Sequence, residues 1–374
     1  MADSPLKVII IGAGLIGPRH AASVQSHPST EVLAFIDPSP SAQAIGTDFN
    51  VPVYASLDEL PIKPDAAVVC TPNHTHIPLT LSLLDQGIKN ILLEKPISDS
   101  IETAAPLLSA LSHPSNKDVK ILVGHHRRFN PYTLSLKKLI ESGSLGTILS
   151  VSGLWTLLKP PSYFSGIGGW RSDREKGGVL GINLIHDIDL LQYLLGPVIR
   201  VYAEESTPQR IQQKGNEEHT HTAEEGVALT LRFESGVVGT FLVSDCTPAP
   251  WNFEVGTGEN PNVRGVIGES DGIRDCYRVL GTSGCVSFPD LTVFNYRGVS
   301  AGEEKGWNIP LSATKLPVEG KEIKPFDTQW GHFVDVVEGK EEVACSVEDG
   351  VRALRVVRGV RESMESGQPV EIKA

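Results

Sequence analysis

The chain has 374 residues, 40% of them hydrophobic and 21% charged, with a formal net charge of −12. That length predicts two domains with cores large enough to need no disulfide staples. The acidic balance argues against a nucleic-acid partner, because phosphate binding needs a basic face and Arg127-Arg128 is too small to supply one.

Residues 6–11 (LKVIII) form an apolar, β-branched run, followed at once by Gly12-Ala13-Gly14-Leu15-Ile16-Gly17 and a helix opening near Pro18. Strand, glycine turn and helix is the order a dinucleotide pyrophosphate needs. Gly12 permits the tight turn, Gly14 lets the backbone approach the phosphates, and Gly17 lets helix and strand pack closely. The unpaired N–H groups of the helix start then face the anion. A second β-branched run over 31–36 ends in Asp37, twenty residues past Gly17. A carboxylate there accepts ribose hydroxyls and repels a 2′-phosphate, so NAD is expected over NADP. No basic residue lies between Asp37 and Lys63.

Further along, helices are expected near 40–49, 77–86 and 98–112, with Ser98 and Glu102 near capping positions. Strands are expected at 51–54, 66–70, 91–93 and 120–123. Polar clusters follow the last three: Thr71-Pro72-Asn73-His74-Thr75-His76, Glu94-Lys95-Pro96 and Gly124-His125-His126-Arg127-Arg128. Strands alternating with helices predict a parallel doubly wound sheet, whose ligands sit beyond the carboxyl ends of the strands.

The pattern changes near residue 147. A strand over 148–158, a glycine- and aromatic-rich loop over 162–178 and an apolar helix over 181–195 precede three period-2 runs at 198–204, 226–233 and 237–244. Consecutive β pieces without helices predict an antiparallel sheet in a second, α+β domain. Residues 209–222 read as a solvated loop, 248–281 as turn-rich, and 326–337 and 347–365 as helices. The expected division is a dinucleotide-binding domain over 1–145 and a substrate and oligomerisation domain over 146–374, with room for the last helix to pack back on the first.

Lys95 stands at a strand end with Pro96 fixing the backbone just past it. Beside a cationic nicotinamide its pKa would fall, and it could hold a substrate hydroxyl or relay its proton. From the tripeptide alone a surface lysine reads as well; its place in a series of strand ends turns the reading to function. On the 181–195 helix, Asn183 and His186 are three apart and share a face, with Asp187 on the neighbouring stripe. His186 suits acid/base work, against the alternative of a structural histidine paired to Asp189. Arg127, Trp170, Asn183, Asp187 and Trp251 are expected to position substrate. The aromatic residues Trp155, Tyr163, Phe164, Trp170, Trp251 and Phe253 suit either a sugar face or an apolar core. His74-x-His76 and His219-x-His221 have ligand spacing without a carboxylate or thiol set, so no metal is expected.

Together these motifs, with His20-Ala21, Phe129-Asn130-Pro131, Trp170-Arg171 and Gly177-Gly178 leading to His186 and Asp189, resemble the Gfo/Idh/MocA family of oxidoreductases. The resemblance spans about half the chain and is mainly one of pattern after residue 200. It implies a Rossmann domain and a C-terminal domain with a large, mostly antiparallel open sheet often used for oligomerisation. It implies bound NAD(P) and a sugar or polyol substrate. By carry-over, Lys95 and His186 are catalytic, and Gly12, Gly14, Leu15, Ile16, Asp37, Thr71, Asn73, His76, Glu94, Lys95 and Arg171 serve the cofactor. One departure stands out. Many relatives carry an aspartate four residues before the histidine, where this chain has Ile182 with Asn183 beside it. A neutral amide can orient a hydroxyl but cannot raise the basicity of His186, and Asn183 and Asp187 both remain candidates for the aspartate's place.

The expected activity is hydride transfer between nicotinamide and a hydroxylated small molecule, with Lys95 and His186 meeting over the ring. A regulator that senses NAD(P) without chemistry and an NAD-dependent glycosidase are the rival readings. A homo-oligomer, dimer or tetramer, is expected from the open sheet. Five cysteines, odd in number and without a CxxC, fit a reducing compartment. No leader-like start or membrane-length apolar stretch is seen, so the expected location is the cytoplasm, without a membrane partner.

Overall fold

The computed structural model describes residues 4–210, 221–267, 275–300 and 302–373. The chain divides into two compact units, Met1–Phe129 with Ile323–Leu354, and Asn130–Glu322 with Arg355–Ala374.

The first unit opens with β1 (Leu6–Ile11), α1 (Gly17–Ser26), β2 (Thr30–Ile36), α2 (Ala42–Phe49) and β3 (Val53–Tyr54). It continues with β4 (Ala66–Val69), α3 (His76–Asp85), β5 (Asn90–Leu93), α4 (Ile101–Leu111) and β6 (Lys120–Val123). The six strands pair in parallel in the order β3-β2-β1-β4-β5-β6. Val8, Ile9, Ile10, Val68, Val69 and Leu92 are fully buried, as a parallel sheet covered on both faces requires. The strand order reverses between β1 and β4, which opens a crevice beyond their carboxyl ends. α4 starts later than expected: its cap is Ser100, which accepts from Thr103 N at 3.1 Å. Ser98 instead donates to Ser100 O.

The returning segment Ile323–Leu354 completes this core. Trp330 and Phe333 are buried in it, and Trp330 Nε1 donates to Thr30 Oγ1 at 3.1 Å. Lys120 Nζ donates to Val336 O and Val337 O at 2.7 and 2.9 Å. Nothing local in residues 323–354 announces so distant a partner.

In the second unit, α5 (Pro131–Glu141) is a helix missing from the sequence reading. Its signals were present: Asn130 accepts from Tyr132 N at 3.0 Å, and Pro131 sits in the first turn. Then come β7 (Ile148–Thr156), α6 (Ile185–Leu195), β8 (Val198–Glu205), β9 (Gly226–Phe233) and β10 (Val238–Ser244). The short α7 (Phe253–Thr257), β11 (Tyr277–Gly281), β12 (Gly284–Phe288), β13 (Thr292–Asn295) and β14 (Ser312–Lys315) follow. The chain then returns to the first unit for α8 (Pro325–Val337) and the start of α9 (Val347–Ser366), and ends in the second unit with the rest of α9 and β15 (Val370–Glu371). The nine strands run in the order β14-β13-β12-β11-β7-β10-β9-β8-β15. Every pairing is antiparallel except β10 with β7, which is parallel. The period-2 runs are visible in burial: Val227, Leu229, Leu231 and Phe233 of β9 are buried while Ala228, Thr230 and Arg232 are exposed. Most residues of α6, including Ile185, Ile188, Leu191 and Leu194, are buried in this unit.

Among the described residues, no helix is long and apolar enough to cross a membrane.

Candidate functional site

The first unit builds a cradle at its switch point. Gly12 has φ +100, and a Cβ on it would stand 2.7 Å from Cys70 O, so only glycine fits. A Cβ on Gly17 would stand 2.1 Å from Gly12 O, so turn and helix touch there. At Gly14 a Cβ would meet no protein atom within 4 Å. Packing within the fold therefore demands Gly12 and Gly17, whereas the space over Gly14 is open. No side chain caps the start of α1; Pro18 has no N–H and Arg19 N donates to Ile16 O at 2.9 Å, so the amides open to an anion are those of the glycine loop up to Gly17. Leu15 is 75% exposed beside them.

Asp37 ends β2. Its Oδ2 accepts from Ala13 N and its Oδ1 from Ser39 N, both at 2.8 Å. The carboxylate is thus tied to the glycine loop while each oxygen keeps a second lone pair for a hydroxyl. These groups fit a dinucleotide: open room over Gly14, glycine-loop amides for a pyrophosphate and a fixed carboxylate for a ribose.

Beyond β4, Thr71 and Thr75 share a hydroxyl hydrogen bond at 2.6 Å, and Thr71 and Asn73 are half-buried. His76 lies beneath them, 1% exposed. Its Nε2 is 2.8 Å from Thr71 O and its Nδ1 2.8 Å from Pro96 O. Burial pulls its pKa below the ordinary value. His76 clamps two loops together from below.

Glu94, at the end of β5, is 5% exposed. Its Oε1 accepts from His20 Nε2 at 2.8 Å and its Oε2 from Lys95 N at 3.0 Å. Burial alone would raise its pKa. The hydrogen bond and charge of His20, then the charges of Lys95 and His126, outweigh burial and hold it at about 2. His20 and His126 both pack against Phe326, with ring centroids 5.1 and 4.7 Å away. Gly124 is needed next to this carboxylate, since a Cβ would stand 2.9 Å from Glu94 Cδ. Lys95 is half-buried, and its bond to Pro96 is cis, where the sequence suggested only a fixed backbone direction. Arg127, expected at the substrate, is 2% exposed.

In the second unit the expected 181–195 helix is interrupted. Leu180–Leu184 is a π-helical turn, and α6 starts at Ile185. A π turn is wider than an α turn and often marks a functional site. It also changes the face-sharing expected from uniform helical spacing. Asn183 is half-buried in the π turn, and His186, 7% exposed, opens α6. Gly178 (φ +80) makes room for Glu224: a Cβ there would stand 2.2 Å from Glu224 Oε1. That oxygen accepts from Leu180 N at 3.1 Å and so caps the π turn.

Asp187, expected on the polar stripe, is fully buried and accepts a short hydrogen bond from Tyr277 of β11. It faces the sheet core. Trp251, also expected at the substrate, lines a groove of about 1000 Å³ with Leu154, Leu242 and Arg278. Strand alternation puts Leu154 and Leu242 on the opposite face from the buried Trp155 and Phe241. Trp251 thus lies across the sheet from Tyr277 and Asp187. Arg171, expected at the cofactor, stacks its guanidinium 4.4 Å from the Tyr163 ring centroid and donates to Tyr163 O at 3.2 Å. Trp170 beside it is 42% exposed.

The sequence reading named Asn183, Tyr163 and Trp155 but missed Lys159, around which they gather. This residue follows β7 and is 7% exposed. Its Nζ donates to Asn183 Oδ1 at 2.5 Å and lies 3.5 Å from Asp245 Oδ2. It also sits over the Tyr163 and Trp155 rings, 4.6 and 5.5 Å from their centroids. Burial pulls its pKa down to about 8, against the charge and hydrogen bond of Asp245 and the charge of Glu254, with Arg210 reinforcing burial. Arg210 holds the other side of Asp245, NH1 to Oδ1 at 2.5 Å, and Trp155 Nε1 donates to Glu254 Oε2 at 2.8 Å. A signal existed: Lys159-Pro160, like Lys95-Pro96, sets a lysine before a proline just past a strand. His219 of the second His-x-His pair lies outside the described residues. Among those residues no three His, Cys, Asp or Glu side chains gather as metal ligands.

A switch-point cradle on a parallel sheet, in a chain that also carries a large, mostly antiparallel sheet, defines a nucleotide-binding oxidoreductase fold. A family model described as an oxidoreductase family, NAD-binding Rossmann fold, matches residues 6–125. A second, described as an oxidoreductase family, C-terminal alpha/beta domain, matches residues 137–372. The chain belongs to the Gfo/Idh/MocA oxidoreductase family.

Inositol 2-dehydrogenase of Rhizobium meliloti is 30% identical over 192 residues, 50% of this chain and 54% of that protein. The match thus spans about half the length of that relative. D-glucoside 3-dehydrogenase of Escherichia coli is 25% identical over 389 residues, covering 100% of this chain and 99% of that protein. The WlbA dehydrogenase of Bordetella pertussis, in complex with NADH and UDP-GlcNAcA, is similar in structure with a TM-score of 0.74 at 19% identity. That match covers 100% of this chain and 99% of the other. Myo-inositol 2-dehydrogenase of Lactobacillus plantarum has a TM-score of 0.75 at 20% identity, covering 99% of this chain and 100% of that one.

Proposed function

We propose that this protein is an NAD-dependent dehydrogenase or reductase acting on a CH–OH group of a sugar, polyol or related small molecule. The cradle supports the reading most: the fold requires Gly12 and Gly17 but leaves the space over Gly14 empty. Dinucleotide binding belongs to the first unit, residues 1–129 with 323–354, and substrate binding to the second, in place of a division at residue 145. Gly12, Gly14, Leu15, Ile16, Asp37, Thr71 and Asn73 surround the dinucleotide, and Glu94 and His76 hold the loops that carry them. The fixed carboxylate of Asp37 favours NAD, since a 2′-phosphate would meet its negative charge. When bound, the nicotinamide supplies the hydride acceptor or donor.

The protein's own part is the hydroxyl proton. Lys95 hydrogen-bonds the reacting hydroxyl, with Glu94 fixing its backbone through Lys95 N. His186 takes or returns the proton, as an imidazole titrating near neutrality can. Asn183 and Trp170 position the substrate. Lys95 and His186 are catalytic; Asp187 serves the core of the second unit. The five free thiols support a cytoplasmic location, and the exposed row on the nine-stranded sheet supports a homo-oligomer.

Purified protein incubated with NAD or NADP and a panel of inositols, aldoses and glycosides tests the reading through the absorbance of the reduced cofactor. Reduction of NAD by at least one carbinol, faster than of NADP, is expected. Failure to bind either dinucleotide by calorimetry would overturn it.

A further inference from the structure

Asn183 is an amide three residues ahead of His186, and an amide has two unlike ends. A carboxylate only accepts hydrogen bonds; an amide accepts at Oδ1 and donates at Nδ2. Which end faces a ligand depends on what holds the other. We propose that Lys159 fixes the Asn183 side chain so that its NH2 is presented to the substrate, and that the substrate places a hydrogen-bond-accepting oxygen there. This rests on the dehydrogenase reading above.

Lys159 decides which end of the amide faces it. An ammonium has three donors and no acceptor, and with a titration midpoint of about 8 Lys159 is mainly charged at neutral pH. The group 2.5 Å from it must therefore be an acceptor, which makes it Asn183 Oδ1. Swapping the amide ends would point two N–H groups at a cation. Lys159 is itself held in place: Asp245 lies 3.5 Å away, the Tyr163 and Trp155 rings flank it, and it is 7% exposed. Among the described residues no partner accepts from Asn183 Nδ2, and the residue is half-buried rather than sealed. His186 follows three positions later, at the start of α6.

The site thus donates where a carboxylate would accept. The matching substrate oxygen is a carbonyl, carboxylate or ring ether, not a hydroxyl that must donate. Lys159 is a positioning residue, acting through Asn183.

Two measurements test this, and they fail separately from the dehydrogenase reading. The first needs no substrate: the Nζ signal of Lys159 is titrated by NMR in protein carrying nitrogen-labelled lysine. Asn183→Asp should raise the midpoint by about one pH unit, because a carboxylate stabilises the ammonium. An unmoved midpoint overturns the pairing whatever the activity. The second uses the fastest carbinol from the panel. Asn183→Asp should raise KM about tenfold with kcat changed little, the loss of one donor to a bound oxygen. Lys159→Met should raise KM to the same degree, the double variant no further, and Lys159→Arg, also a pure donor, should restore most of the affinity. An Asn183→Asp variant with lowered KM would show that the substrate donates and would overturn the proposal. So would Lys159→Met lowering kcat with KM unchanged. If no carbinol is oxidised by the unaltered protein, the dehydrogenase reading falls with the substrate half of this inference, and the titration still decides the pairing.

Discussion

Both units bury an ion pair, Glu94 with His20 in the first and Asp245 with Lys159 and Arg210 in the second, but they set the rest of their polar groups differently. In the first, short turns at strand ends do most of the work, and backbone geometry sets them: a glycine at φ +100, a glycine whose Cβ would stand 2.1 Å from a carbonyl, an uncapped helix start. In the second, charged side chains buried against one another do it, with Lys159, Asp245 and Arg210 drawn from three separate segments. The difference teaches where local sequence suffices. A turn is encoded by its own residues, whereas an ion cluster is encoded by the fold that assembles it.

The sharpest way to test this contrast is at Lys95. Lys95→Ala should cut turnover roughly a thousandfold, as loss of a donor aimed at the reacting oxygen does, while NAD affinity by calorimetry stays within a few-fold. A variant of near-normal turnover would move the chemistry away from the first unit.

Glu94 gives the next largest effect. Its pKa lies at about 2, below the ordinary 4.5, so the folded state favours the ionised form. The sign follows: that stabilisation is complete above pH 4.5 and is lost as the pH falls toward 2. It amounts to about 3 kcal/mol. Urea unfolding across that window should show a shallower fall in stability for Glu94→Gln than for the unaltered protein. Parallel curves would contradict the account.

Tyr277→Phe removes the donor to the fully buried Asp187 and should destabilise the protein by about 2 kcal/mol. Chemical denaturation measures this, and KM for the carbinol should not change. A KM effect without loss of stability would return Asp187 to the substrate.

The smallest effect separates the glycines. Gly14→Ala should leave the melting temperature unchanged, since its Cβ meets no protein atom within 4 Å, yet weaken NAD binding about tenfold by crowding the phosphates. Unchanged affinity would take the dinucleotide away from this loop.

Much of the first unit was legible in the sequence because its information is local. The run of residues 6–17, Asp37 at its strand tip and each polar strand end are written in stretches of a few residues apiece. The sequence left room for the last helix to pack back on the first domain, but the meeting of Trp330 and Thr30 across 300 positions was not legible. In the second unit the alternating strands could be read, but not the π turn that displaces Asn183 from its expected stripe. Nor could the burial of Asp187, which depends on a tyrosine 90 residues away. Lys159 went unread because a lysine after a strand carries no chemistry until its neighbours are known.

The central claim is that this fold moves a hydride between a carbinol carbon and a nicotinamide. It is tested most directly by giving the enzyme NAD with a carbinol carrying deuterium at the reacting carbon, then examining the cofactor by mass spectrometry and NMR. The account predicts one deuterium on the reduced ring, in an amount matching the oxidised product. Cofactor that is bound but never labelled, or a glycoside cleaved with all NAD recovered unreduced, would contradict it.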